Sequence, residues 1–195
     1  PWLAVAVLMV PLTASAVDFS VKLEPGVAIP LTAPQTDAFD LGFGQSFKAL
    51  FGLTPWLDIG PTVSFLMLSA QEEGKDAGVA WGFGGGLRFK RPHDATGFYG
   101  ISPWLDADAL YIRTDKLNRP GFDAAVGVSI PLGRDRVFWL GPFVRYLQVV
   151  QFNRDGYDNR DARVLIAGLS FEVGTGIRRE QAEEPPPPPP VQAAA

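Results

Sequence analysis

The chain has a single histidine, His93, and no cysteine. A nucleophilic centre of the serine, histidine and acid type needs a serine hydroxyl within hydrogen-bond reach of the imidazole. No serine adjoins the turn from Arg91 to Thr96, so His93 reads as an ordinary residue of a polar turn. Asp106 and Asp108 stand two residues apart, which on a strand puts both carboxylates on one face, where they could do acid-base work or hold a cation. A basic side chain from another wall, Arg88 or Lys48, turns the same two residues into ion pairs, and that is the reading adopted. The run Gly82 to Gly86 lacks the following helix that a phosphate or dinucleotide loop requires. Asn153 to Asp161 spaces Asp and Asn like a calcium loop but has no closing Glu, and reads as a solvated surface loop. The expectation is therefore a protein that is not an enzyme, with no metal and no cofactor.

The elements that would position these residues are strands. In Trp81-Gly82-Phe83-Gly84-Gly85-Gly86-Leu87-Arg88-Phe89, bulky apolar residues on odd positions alternate with glycines and a charge on even ones. Successive strand side chains point to opposite faces, so one face is greasy and the other small or polar, the pattern of a barrel wall in lipid. Eight such segments are expected: Val17 to Ile29, Asp40 to Leu53, Trp56 to Ser69, Val79 to Lys90, Phe98 to Arg113, Phe122 to Leu132, Val137 to Phe152 and Ala162 to Ile177. Each is at least as long as the roughly 9 to 11 residues a tilted strand needs to cross a bilayer. Thr54-Pro55 and Gly133 to Arg136 are tight connections, and Arg91 to Gly97 is a longer sibling on the same side. Thr32 to Phe39, Gln71 to Gly78, Thr114 to Gly121 and Asn153 to Asp161 are longer, polar and on the other side. The fold class expected is all-β, an eight-stranded antiparallel up-and-down transmembrane barrel.

Face assignment sharpens this picture. The outer face collects residues such as Phe19, Val21, Leu23, Phe43, Phe47, Phe65, Trp81, Phe83, Leu105, Val128, Val144, Leu169 and Phe171. The opposite face carries the cations Lys22, Lys48, Arg88 and Arg145 and the carboxylates Glu24, Asp58, Asp106, Asp108 and Glu172, interleaved with glycine and serine. Charges enclosed in a narrow lumen must be paired and hydrogen-bonded, so this set is expected to form a lumen charge network. Five residues break the pattern: Gln45 and Gln148 face outward, and Trp104, Leu110 and Trp139 add large apolar groups inside. A hairpin-sized repeat places Pro25, Pro61, Pro103 and Pro142 at intervals of 36, 42 and 39 residues, and proline cannot donate to a ladder, so bulges or missing hydrogen bonds are expected there. A soluble lipocalin-like cup that binds a ligand would invert the two faces.

Composition bounds the partners. The 195 residues are 47% apolar and 19% charged with a net charge of -4, and the basic residues are dispersed, which argues against nucleic acid. Membrane lipid is the partner that the outer face implies. Residues 1–16 read as the remnant of a signal peptide, an apolar run followed by Thr13-Ala14-Ser15-Ala16 with small residues at the cleavage positions. The barrel follows over 17–177, and residues 178–195 are a charged, proline-rich linker or tail in which Pro185 to Pro190 must be extended.

The Ala14-Ser15-Ala16 pattern, eight amphipathic strands and Pro185 to Pro190 after the last of them resemble the N-terminal barrel of the outer-membrane protein A family of Gram-negative bacteria. Pro25 to Leu31 and Gly52 to Asp58 are similar to barrel segments of that family. The resemblance implies a structural barrel of the outer membrane; the even number of strands returns both termini to the short-turn, periplasmic side, and a monomer is expected. It also implies a partner in peptidoglycan, held through a module beyond the proline run, and a part in envelope integrity. A surface adhesin and a small low-conductance porin are the alternatives.

Overall fold

The computed structural model describes residues 18–92, 100–114, 117–133, 136–151 and 160–175. Its strands are β1 (Phe19–Pro30), β2 (Phe39–Thr54), β3 (Leu57–Ala70), β4 (Gly78–Lys90), β5 (Ser102–Thr114), β6 (Leu117–Leu132), β7 (Phe138–Val149) and β8 (Ala162–Gly174), and one short helix, α1 (Gln35–Ala38), lies between β1 and β2. Every strand pairs antiparallel with its sequence neighbours, and β8 closes on β1 to make an eight-stranded barrel. Closure leaves no free sheet edge, which is the condition for a sheet to stand in hydrocarbon.

The two faces separate as alternation demands. Burial along β5 switches at every residue, with Trp104, Asp106, Asp108, Leu110 and Ile112 inside and Leu105 and Tyr111 outside. Phe83 and Leu169 are each 49% exposed, whereas Arg88 is 1% and Glu172 2% exposed. The inverted polarity of a soluble cup is thereby excluded. Aromatic pairs sit near both ends of the wall: Trp56 stacks on Phe89 at 6.0 Å near the short turns, and Phe65 meets Trp81 at 4.7 Å near the long loops. Both positions suit the interfacial levels of a bilayer.

The prolines do not produce bulges. The register of β5 with β6 runs through Pro103 unbroken, and the register shifts between β2 and β3 fall at strand ends, one of them at the Thr54-Pro55 turn and neither at Pro61. What each interior proline produces is a lapse on one side only. Pairing of β1 with β8 skips from Leu23 to Gly26 around Pro25, β2 with β3 skips from Thr62 to Ile59 around Pro61, and β6 with β7 skips from Phe143 to Leu140 around Pro142. Register is kept across each gap, so the missing N–H costs one ladder bond without re-aiming a side chain. A glycine lies at each lapse. A Cβ on Gly60 would run into the Ala49 carbonyl, one on Gly141 into the Val128 carbonyl, and one on Gly168 into the Pro25 carbonyl.

Three expected boundaries change. Thr114 to Gly121 is not a long loop: Leu117 pairs with Thr114, Asn118 with Arg113, Arg119 with Ile112 and Pro120 with Tyr111, so β6 begins five residues earlier than Phe122. These residues carry turn chemistry, but ladder pairing with β7 begins at Gly121, and Pro120 sits just past it, where its carbonyl accepts the Val150 N–H at 2.9 Å and only the return bond is lost. Strand five starts at Ser102 and not at Phe98, because Gly100 adopts a positive φ of 79° before it. Strand seven stops at Val149, short of Phe152. His93, residues 1–16, most of the loop Asn153 to Asp161 and the segment 178–195 lie outside the described residues.

Gly141→Val should therefore lower stability by at least about 1–3 kcal/mol through overpacking against the facing carbonyl. Gly174→Ala, whose nearest neighbour would stand at an ordinary 3.5 Å, should leave it almost unchanged. Urea unfolding in lipid vesicles measures both.

Candidate functional site

The inward residues of β1, β2, β5, β6 and β7 meet near mid-barrel. Lys22 Nζ lies 3.0 Å from Glu24 and 3.2 Å from Asp106. Lys48 Nζ bridges Asp106 at 2.8 Å and Asp108 at 2.5 Å. Thr62 donates to Asp108 at 2.7 Å and Ser46 to Glu24 at 2.8 Å. Arg145 joins three strands, donating to Glu24, to Asp123 at 2.6 Å and more distantly to Asp108 at 3.5 Å. Nearer the short turns lies a second group. Arg88 grips Glu172 through two N–H donors at 2.7 and 2.8 Å, its Nε donates to Asp58 at 2.8 Å, and Lys90 links Asp58 to Asp18 at the rim. Forked guanidinium contacts of this kind are the strong, geometrically specific ones.

All nine residues read from the sequence as lumen charges are thus buried and placed in two ion-paired groups. The Asp106 and Asp108 carboxylates sit on lysines, and among the described residues no cluster of acidic or histidine groups could hold a metal. Two further members, Asp123 and Lys90, were missing from the set, although each lies two residues from an inward neighbour, Ala125 and Arg88. Counting them, the described interior holds five buried cations and six buried carboxylates.

The interior also contains what face parity alone did not anticipate. Toward the long loops the lumen is filled by Leu66, Leu68, Leu110, Ile112, Leu147, Val149, Val164 and Ile166, all buried. The small lumen residues are notches for these and other large neighbours. A Cβ on Gly127 would strike the Trp104 indole, one on Gly44 the Ile166 side chain, and one on Gly121 the Ile112 side chain. Trp104 faces inward with Lys22 Nζ 3.0 Å from its ring centroid, a cation–π contact, and the Trp139 indole N–H donates to the Arg136 carbonyl at 2.9 Å. Between the ionic and apolar layers is a cavity of about 20 Å³, lined by Glu24, Ser46, Ser64, Asp123 and Arg145 below and by Leu66, Ala80, Ile112, Leu147 and Ile166 above. That is room for about one water molecule.

At the long-loop rim the outward Gln148 is satisfied. It accepts from the Tyr146 hydroxyl at 2.7 Å and donates to Asp161 at 2.6 Å, and Asp161 also accepts the Gln151 backbone N–H at 2.9 Å. That N–H, followed by the Gln148 amide, holds the Asp161 carboxyl below the usual aspartate range.

No protein-family profile and no curated protein matches the chain. Among solved structures, the barrel is similar to Neisserial surface protein A, with a TM-score of 0.56, 14% identity, and coverage of 80% of this chain and 96% of that one. It is also similar to Ail, the attachment invasion locus protein of Yersinia pestis, with a TM-score of 0.45, 8% identity and coverage of 80% and 98%. A third match, to a de novo designed transmembrane β-barrel, has a TM-score of 0.39, 15% identity and coverage of 80% and 95%. At these identities the likeness is one of fold.

Two outcomes follow for the site. Arg88→Met strands Glu172 and part of the Asp58 contact, and should cost about 3–5 kcal/mol in urea unfolding, with partial recovery when Glu172→Leu is added. Leu169→Arg, near the middle of β8 on the lipid side, should cost about 2–4 kcal/mol. Ser170→Ala removes a buried hydroxyl that has no hydrogen-bond partner and should be neutral or slightly stabilising by the same assay.

Proposed function

We propose that the chain is an outer-membrane barrel that anchors a periplasmic module, carried beyond Pro185 to Pro190 and binding peptidoglycan, and so contributes to envelope integrity. The observation that carries this reading is a closed barrel whose wall is apolar outward while its interior is packed shut with ion pairs and aliphatic side chains. A wall of that polarity holds the protein in lipid, and the cavity between the two interior layers, with room for about one water, is too small for a substrate. Both ends of the described sheet lie at the short-turn rim, where the Thr175 N–H donates to the Phe19 carbonyl at 2.9 Å and the Thr175 hydroxyl to Asp18 at 3.0 Å. In this reading that rim is periplasmic, residues 1–16 are the export signal, and the extended proline run spaces the module from the membrane. The barrel acts as a monomer.

The test is cell-wall association of the natural gene product in its own bacterium. The expected result is that it fractionates with the outer membrane and stays with sedimented peptidoglycan after detergent extraction, whereas a product ended after Pro190 is released. Release of the natural product together with the shortened one would overturn the anchor, and recovery in the soluble fraction would overturn the membrane assignment.

A further inference from the structure

The lumen has two chemically distinct fillings stacked along its axis. Ion pairs occupy the middle and the short-turn half, and above them the facing side chains are aliphatic. The ionic layer ends at the cavity whose lower wall includes Glu24, Asp123 and Arg145. Above that level Ile112 is 2%, Leu110 5%, Leu147 5% and Ile166 5% exposed, and these chains meet backbone: Ile166 lies against the glycine backbone at Gly26 and Gly44, and Ile112 against that at Gly121. Nothing in that layer can replace the hydration of an ion.

We propose that this aliphatic plug, Leu66, Leu110, Ile112, Leu147 and Ile166, is a dry seal in its own right, which keeps water-borne solutes from the long-loop side out of the lumen even when the ion pairs beneath it are broken. The physical reason is that the two layers respond to different perturbations. Removing Arg145 takes the cation from Asp123, leaves Glu24 to Lys22 and Ser46, and lets water into the ionic layer, but it removes none of the aliphatic side chains of the plug. A narrow apolar constriction excludes water and ions by dewetting, which is independent of the charges below it. The barrel is then shut twice, and loosening its salt bridges is insufficient to make it a pore. This goes beyond the anchor reading and does not depend on it.

The chain has no cysteine, so an introduced thiol reports access directly. Ser64→Cys places that thiol in the cavity wall, immediately below the plug. A charged methanethiosulfonate reagent is added outside vesicles in which a Ser69→Cys control shows the long-loop end to face outward. With the plug intact, the Ser64→Cys thiol should remain unmodified, and should still remain so when Arg145→Ser is added. With Ile112→Ser, Leu147→Ser and Ile166→Ser the reaction should accelerate by about tenfold or more while the ion pairs stay in place. Folding of each variant is verified by the mobility of unheated samples in gel electrophoresis, and Ile112→Thr alone serves, with the same direction of change, if the triple variant does not fold. Rapid modification in the Arg145→Ser background with the plug intact would overturn the proposal, and so would an unchanged rate in a folded plug variant.

Discussion

A peptide N–H or C=O in hydrocarbon has no water to bond, and that single constraint organises this molecule. Closure of β8 on β1 answers it for the wall as a whole. The prolines show how tightly it is answered locally. Pro25, Pro61 and Pro142 each give up pairing on one side only, the register resumes beyond the gap, and a glycine at each site lets the neighbouring carbonyl approach. The hairpin-length repeat visible in the sequence is thus a repeated way of admitting a proline to a sheet that has no edge.

The same scarcity of water explains the interior. Carboxylates and cations enclosed by the wall gain nothing from solvent, so each is held by a partner from another strand, and several by two. Arg145 ties β7 to β1 and β6, Lys48 ties β2 to β5, and Arg88 ties β4 to β3 and β8. The bonds of Arg145 to Glu24, Lys48 to Asp108 and Arg88 to Glu172 cross the lumen and specify which walls face one another, whereas Arg88 to Asp58 and Arg145 to Asp123 join neighbouring strands. The aliphatic layer above adds packing of the ordinary kind, with glycines as the receiving surfaces.

Much of this was legible in the sequence because a strand has a period of two. The alternation in Trp81 to Phe89 and the charges Lys22, Arg88 and Glu172 on the opposite parity are enough to orient three strands. Where reading failed, the cause was local. Asn118, Arg119, Pro120 and Gly121 carry turn chemistry and are nonetheless strand, because each pairs with β5, which runs on beyond the end of β7. Asp123 stands at the very start of the expected strand Phe122 to Leu132, where alternation gives its face the least support. The glycines of the lumen face looked like a small, empty interior, since a sequence does not say which large side chain from a neighbouring strand, such as Trp104 or Ile166, will fill the notch. Leu110 and Trp104, two of the exceptions to a polar interior, are where the hydrophobic filling already shows.

The central claim is that polarity is reversed, with apolar side chains facing lipid and charges enclosed. The chain's tryptophans provide the measurement: Trp56 and Trp81 are 50% and 46% exposed on the outer wall, while Trp104 and Trp139 are 5% and 3% exposed inside. Variants keeping one tryptophan at a time, folded into vesicles of brominated lipid, should show strong fluorescence quenching for Trp56 and Trp81 and almost none for Trp104 and Trp139. Strong quenching of Trp104 with Trp81 unaffected would contradict the account.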